Sequence, residues 1–374
     1  MELKPINPAL LDAFDRYAKG LSAQDRIGII FDDDSDGFSA ALIVCKAIER
    51  LRGRKPDYYV SERVVSHDRF DGVVEELRAQ GINKIISVDA PLDNVAKEKV
   101  RRLEEFAEVL VMDHHKMYED LNSSRMTFLK PQLIWETESS SYPTCKFAFD
   151  LFSRVVDLNE FEWVACIGIV GDSAYNRWKE FVDKNSAKEG WKKEENIFDS
   201  GFGVISKIIY AIQVMAPGRM MEFFRFANSV NNPTALLYSP HADLLKEMDR
   251  EVAEGMNQFH ARAEQYPELE LIWFEVRPRH SIKSLLINRI SHELHPNKTV
   301  LLVQDLGGVK LNVSGRRQDF KVRVNDLLEE AVKGLEGSSG GGHIPAAAGV
   351  FMRKDLPTVK KRVMDLLKSG KCKN

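Results

Sequence analysis

The stretch RIGIIFDDDSDGFSAALIVCKAIERL, residues 26–51, decides the fold. RIGIIF is a short apolar run of strand length, and FSAALIVCKAIERL behind it is an apolar-rich helix. Between the two stand Asp32, Asp33, Asp34 and Asp36 around Ser35. The pattern recurs downstream. KIISVDA (84–90) reads as a strand with Asp89 at its end, followed by the charged helix VAKEKVRRLEEF (95–106), and EVLVMDHH (108–115) ends a third strand on Asp113-His114-His115. Strands alternating with helices predict a parallel sheet with helices on both faces. Ligands of such sheets bind beyond the carboxyl ends of the strands, so the three acidic ends are expected to converge.

Carboxylates held this close repel one another. Like charges about 4 Å apart cost on the order of 1 to 4 kcal/mol, depending on the local dielectric. A divalent cation relieves that repulsion, and oxygen ligands suit Mg²⁺ or Mn²⁺. The competing reading of 32–37 alone is a solvated acidic turn capping the next helix. Asp113, His114 and His115 in succession at a strand end are harder to assign to capping, and imidazole beside carboxylate favours Mn²⁺ over Mg²⁺. Asp172, in the apolar run CIGIVGDSA (166–174), is a further acid that needs a partner. Together these groups are expected to hold one or two ions, and a pair of ions clamps both oxygens of a phosphoryl displacement.

From 140 to 230 the pattern is mostly helical. The polar stretch 179–196 reads as an exposed loop, lid or frayed helix end, and 228–240 carries the Asn, Pro and Ser punctuation of a boundary. HADLLKEMDREVAEGMNQFHARAEQY (241–266) is a long helix, and beyond it strands at 269–276, 299–315 and 346–352 alternate with a helix in 319–335. The expected fold is α/β: an N-terminal parallel-sheet lobe at 1–230, a linker helix at 231–260 and a smaller α/β lobe at 261–374, with the active-site cleft between the lobes. Ser141 and Thr144 of SSSYPTC are expected to cap a helix.

Composition bounds the rest. The chain has 374 residues, 44% hydrophobic and 29% charged, with a net charge of -3. That charge argues against a uniformly basic coat for DNA while leaving room for a local basic groove. No apolar run reaches the roughly 18 residues of a membrane span. The N-terminus lacks a signal-peptide layout, and the four cysteines are far apart, so a cytoplasmic protein with reduced thiols and no membrane partner is expected.

In this order the motifs resemble the DHH phosphoesterase superfamily: Asp34-Ser35-Asp36-Gly37, Asp89, Asp113-His114-His115-Lys116 and Gly171-Asp172-Ser173. Ser314-Gly315-Arg316 and Ser339-Gly340-Gly341-Gly342-His343 resemble the DHHA1 substrate-binding domain, and archaeal RecJ-like nucleases are the group most similar. The likeness implies a metal set of Asp34, Asp36, Asp89, His114 and Asp172. It makes Asp113 a bridging or supporting group, and His115 a contact to the scissile phosphate or attacking water. Many members carry a His four residues before the first Asp of the pair, where this chain has Ile30; Asp32 or Asp33 is the expected replacement. Asp36, Asp113 and His115 are therefore the expected catalytic residues.

The glycine run Gly340–Gly342 offers backbone N–H groups to an anion, with His343 adding a hydrogen bond or a proton. It is expected to form a tight turn against a strand. Arg316 and Arg317 suit bidentate phosphate contact, and Lys321 and Arg323 are expected to extend a basic groove. With Ser314, these make the expected substrate site. The expected function is Mn²⁺-dependent hydrolysis of phosphodiesters (Mg²⁺ as the alternative ion), as an exonuclease on single-stranded DNA or RNA. A small-nucleotide phosphodiesterase acting on short oligonucleotides and an inactive replisome scaffold are the rival readings. A replication or repair protein is a possible partner, with 179–196 as its candidate surface.

Overall fold

Five short strands, β1 Ile27–Phe31, β2 Tyr58–Ser61, β3 Lys84–Val88, β4 Glu108–Met112 and β5 Met126–Leu129, lie parallel in the order β2-β1-β3-β4-β5. The structure, a computed structural model, describes residues 4–61 and 67–373. Contacts divide the chain into two units, Met1–Asp243 and Leu244–Asn374.

In the first unit β1, β3 and β4 are buried along nearly their whole length, as parallel strands covered on both faces must be. The Ser35–Arg52 helix returns from β1 toward β2 and packs on the Thr144–Phe152 and Glu162–Gly171 helices. Its start is fixed by Asp34, whose Oδ1 accepts the N–H of Asp36 at 2.9 Å and of Gly37 at 3.0 Å. The strand register is what positions the site. Phe31 lies beside Val88, Val88 beside Met112, and Met112 beside Leu129, so these four strands end level. The next residues, Asp32, Asp89, Asp113 and Lys130, therefore emerge at one edge of the sheet. The strands β2 and β5 complete this sheet beyond the three read from the sequence.

The expected loop at 179–196 is half helix, because Tyr175–Lys188 is helical on either side of a kink at Trp178. Val182 and Asn185 of that helix are buried three residues apart, and Lys184 and Lys188 one turn apart both pair with the buried Glu162. Mixed charge hid a one-sided contact.

The second unit is a six-stranded mixed sheet in the order β10-β11-β9-β8-β7-β6. Its strands are β6 Glu264–Tyr266, β7 Leu271–Val276, β8 Thr299–Gln304, β9 Lys310–Arg316, β10 Ser339–His343 and β11 Ala346–Met352. The long helix runs from Ala242 to Arg262 and stops short of the expected 266, because Glu264–Tyr266 pairs antiparallel with β7. Leu311 and Val313 of β9 face a core formed with Val324–Val332 and Leu356–Ser369. Alternation along a strand sends Ser314 and Arg316 in opposite directions from Val313 and Gly315 respectively. On that other side lies the Lys283–Arg289 helix, whose Lys283 and Asn288 bond Ser314 and Arg316.

The glycine run is itself a strand rather than a turn: β10 pairs along its length with β11, at the edge of the sheet. The turn follows it at 344–345, and within the strand Gly342 takes a φ of 141°, where a β-carbon would lie 2.6 Å from the Ala346 carbonyl oxygen. All four cysteines are buried and unbridged. Among the described residues no helix is long and apolar enough to cross a membrane.

Candidate metal centre

Two groups of donors meet at the level strand ends: Asp89, His114 and His115, and Asp36, His114 and Asp172. His114 is shared. Its Nε2 lies 3.6 Å from Asp89 Oδ1 and 3.7 Å from Asp36 Oδ2, and its Nδ1 lies 3.9 Å from Asp172 Oδ2. Asp36, Asp89, Asp113 and His114 are buried, and Asp172 is half-buried.

Each group arrives from a different element. Asp36 sits in the first turn of the Ser35–Arg52 helix, Asp89 follows β3, His114 follows β4, and Asp172 follows the Glu162–Gly171 helix. Asp89 has a positive φ of 57°, a conformation costly for most residues and tolerated best by Asn and Asp. Residues held in such conformations cluster where surrounding structure fixes a site. The Glu162–Gly171 helix approaches closely because Gly168 has no side chain; a β-carbon there would lie 2.5 Å from Cys145 Sγ and 3.0 Å from Asp36 Oδ1.

The acids are held in unequal electrostatic states. Burial, then the charges of Asp36 and Asp34, push the Asp172 carboxyl up to about 8. Burial, then Asp36, Asp34 and Asp113, raise Asp89 well above the carboxylate range. Without a cation these groups resist ionisation together. Two buried polar atoms facing each other, His114 Nδ1 and Asp172 Oδ2, have no hydrogen-bond partner among the described residues. Converging carboxylate and imidazole donors with orphaned buried atoms fit a divalent ion.

Asp113 is different. Burial raises its carboxyl, but the His115 hydrogen bond and the Lys130 charge outweigh burial and bring it down to about 2. Its Oδ1 is 2.7 Å from His115 Nδ1 and its Oδ2 accepts from Lys130 Nζ at 2.5 Å. The Asp113 hydrogen bond in turn raises the His115 imidazole above its ordinary value. Lys130, fully buried, also lies 3.3 Å from Asp93 and donates to the His115 and Lys116 carbonyls at 2.9 and 3.3 Å. A buried ion pair organised in this way fixes the loop that carries both histidines.

Lys130 and Asp93 were not among the residues expected from the sequence, and Thr144 has a different role from the expected cap. Thr144 does not cap its helix. Its backbone N–H donates to Asp36 Oδ2 at 2.6 Å, the Cys145 N–H donates to Asp36 Oδ1 at 2.8 Å, and the Thr144 hydroxyl bonds Asp89 Oδ1 at 2.8 Å. Ser141 does not cap it either: its hydroxyl bonds the Glu138 carbonyl and accepts from Arg177. The start of the Thr144–Phe152 helix is spent on the site's carboxylates, where its dipole favours negative charge. The signal for Lys130 was present: a lysine inside the apolar run TFLKPQLI needs a buried partner.

Asp32 and Asp34 lie outside both donor groups. Asp34 caps its helix, and Asp32 Oδ1 accepts the Asp34 N–H at 3.3 Å. Asp33 accepts from Gln213 at 2.6 Å, and Ile30 is core. Neither Asp32 nor Asp33 joins the groups in the place of the missing histidine.

In the second unit, register assembles the other expected residues. Across β9, β11 and β10, Ser314 aligns with Ala348 and Gly341, and Arg316 aligns with Ala346 and His343. Ser314, Arg316 and His343 thus share one face of the sheet, with Gly340 and Gly342 flanking Gly341 in the edge strand. Lys283 Nζ donates to Ser314 Oγ at 3.1 Å, and Arg316 Nε to Asn288 Oδ1 at 3.1 Å. No carboxylate pairs with Arg316 among the described residues. Arg317 is the reverse: it is buried and committed to Glu270 and Asp319, so it is structural and not a phosphate contact. Lys321 and Arg323 pair with Asp319 and Asp326, and the expected extension of a basic groove through them is not formed.

Residues 26–169 match the family model of the DHH family, N-terminal domain, and residues 282–369 match that of the DHHA1 domain. A stretch of 106 residues, 28% of this chain, is 26% identical to the single-stranded-DNA-specific exonuclease RecJ of Bacillus subtilis strain 168 and covers 13% of that protein. RecJ from Thermus thermophilus in complex with Mn²⁺ superposes on 96% of this chain at a TM-score of 0.69 and 18% identity. The chain spans 54% of that protein's length. An exonuclease RecJ bound to manganese superposes at 0.70 and 19% identity, over 98% of this chain and 95% of the other. At these identities the structural likeness establishes the fold.

Proposed function

The chain belongs to the DHH/DHHA1 phosphoesterase superfamily, and on that premise we propose that it is a divalent-metal-dependent phosphodiesterase that removes mononucleotides from single-stranded DNA or RNA. The observation that carries this reading is the pair of donor groups, Asp89-His114-His115 and Asp36-His114-Asp172, that share His114 and include two buried atoms unpartnered among the described residues. These groups hold one or two ions, with Mn²⁺ favoured by the mixed nitrogen and oxygen donors. A bound divalent ion supplies Lewis acidity toward a phosphoryl oxygen and a water that ionises near neutral pH.

The chain's own residues do the rest. The Thr144 and Cys145 N–H groups and the Thr144 hydroxyl hold Asp36 and Asp89 in place. Asp113 orients His115 and favours its imidazolium, which is 45% exposed in its side chain and so open to a phosphate oxygen. Lys130 keeps Asp113 ionised and ties down the loop. Ser314, Arg316, Gly341 and His343, with Lys283 behind Ser314, are the set that holds the substrate's phosphates.

The test is a time course on 5′- and 3′-labelled single-stranded DNA and RNA with Mn²⁺, Mg²⁺ or EDTA. The reading requires a mononucleotide ladder from one end that EDTA and Asp36→Asn both abolish. A folded, metal-supplied protein that hydrolyses no phosphodiester contradicts it.

A further inference from the structure

We propose that Tyr118, with Lys116, is a base-stacking and phosphate-contact platform that sets how the strand is gripped beside His115. This rests on the phosphodiesterase reading above and names the part of the substrate recognised there.

Tyr118 is one of the few large side chains with an apolar body left in solvent, 55% exposed, and it lies three residues beyond His115. Its exposure does not come from a loose loop. The Tyr118 N–H donates to the buried carboxylate of Asp93 at 2.8 Å, and Lys130 grips Asp93, Asp113 and the two carbonyls before Met117. Three buried charged side chains thus fix a segment whose outward residues include His115, Lys116 and Tyr118, followed by the exposed Glu119 and Asp120. A buried cation with two carboxylates is a costly way to shape a loop, and the shape it holds presents an aromatic ring to water.

The chemistry of the two exposed residues matches a nucleotide. The Lys116 ammonium sits 5.3 Å from the centroid of the Tyr118 ring, and among the described residues Lys116 has no carboxylate partner. Any nucleobase offers a face to a tyrosine ring, and an unpaired lysine beside it meets the adjoining phosphate. An aromatic platform of this kind is tolerant of sequence, so the platform governs grip and not base identity.

The experiment compares the full chain with Tyr118→Leu and Tyr118→Trp on single-stranded oligonucleotides carrying thymine or an abasic unit at the cleaved end. On the thymine strand Tyr118→Leu raises KM roughly tenfold with kcat little changed, and Tyr118→Trp restores it. On the abasic strand wild type and Tyr118→Leu become equal. Lys116→Gln lowers the salt dependence of binding by about one phosphate contact. The same comparison by fluorescence anisotropy in EDTA reads binding without turnover, so it decides the platform even if no strand is hydrolysed. Equal affinity of wild type and Tyr118→Leu for the thymine strand, or an equal loss on the abasic strand, overturns the proposal.

Discussion

The backbone N–H of Thr144 donates to Asp36 Oδ2 at 2.6 Å, while the hydroxyl of the same threonine bonds Asp89. One residue at a helix start thus orients two acids that come from different elements. Removing the hydroxyl in Thr144→Val keeps the shape and the N–H but takes one hydrogen bond from a buried carboxyl. It is expected to lower stability by about 1 kcal/mol and to weaken metal affinity by about tenfold or more. Thermal unfolding with and without Mn²⁺ checks both: the loss must be larger with metal present.

Lys130 is fully buried between Asp113 and Asp93. Lys130→Met leaves Asp93 without its cation and Asp113 with His115 alone, and is expected to cost about 3 to 5 kcal/mol in denaturant unfolding. Adding Asp93→Asn to Lys130→Met removes the uncompensated charge and should recover part of that loss. A double variant less stable than the single would show that the buried pairing is not what Lys130 supplies.

Gly168 lets its helix approach Asp36. In Gly168→Ala the new methyl meets Cys145 Sγ at 2.5 Å, and overpacking of this kind costs about 1 to 3 kcal/mol. Cys145→Ala, introduced with it, makes room and is expected to return stability. Metal affinity should recover less, because Asp36 Oδ1 stays within 3.0 Å of the added carbon.

Asp305 gives the second unit an acid-sensitive contact. Its hydrogen bonds from Arg353, with those from Gly307 and Arg277, hold its carboxyl below the usual carboxylate range. A depressed folded value means the contact stabilises above the unfolded carboxylate value near 4 and fades as pH falls toward the folded one. Asp305→Asn is therefore expected to cost about 1 kcal/mol at neutral pH, a modest figure because solvent screens both arginines. Unfolding curves of wild type and variant should converge as the solution is acidified. Curves that stay parallel down to about pH 2 would contradict the assignment.

Much of this was legible in the chain. Apolar runs ending in acid gave the parallel sheet, because strands buried on both faces are apolar throughout and their ends collect the polar residues. The Asp89 and Asp113-His114-His115 positions followed from that alone. What the pattern hid was set by tertiary contacts. Asp34, expected as a ligand, also caps a helix through one oxygen, while Thr144, expected as a cap, bonds the site's acids. Arg317 and Arg316 are adjacent and identical in type, yet strand alternation buries one between carboxylates and leaves the other facing Asn288. The glycine run suggested a tight turn because glycine is poor in strands, and its pairing with Ala346–Met352 overrode that preference.

Titration calorimetry of Mn²⁺ into the metal-free full chain, beside His114→Ala and Asp172→Asn, decides whether these residues hold the metal. Saturable binding of one or two ions to the wild type is expected. His114 belongs to both donor groups, so His114→Ala should abolish tight binding; Asp172→Asn should weaken it by about tenfold or more. Binding that is absent in the wild type, or equal in all three proteins, would contradict the assignment of these residues as the metal centre.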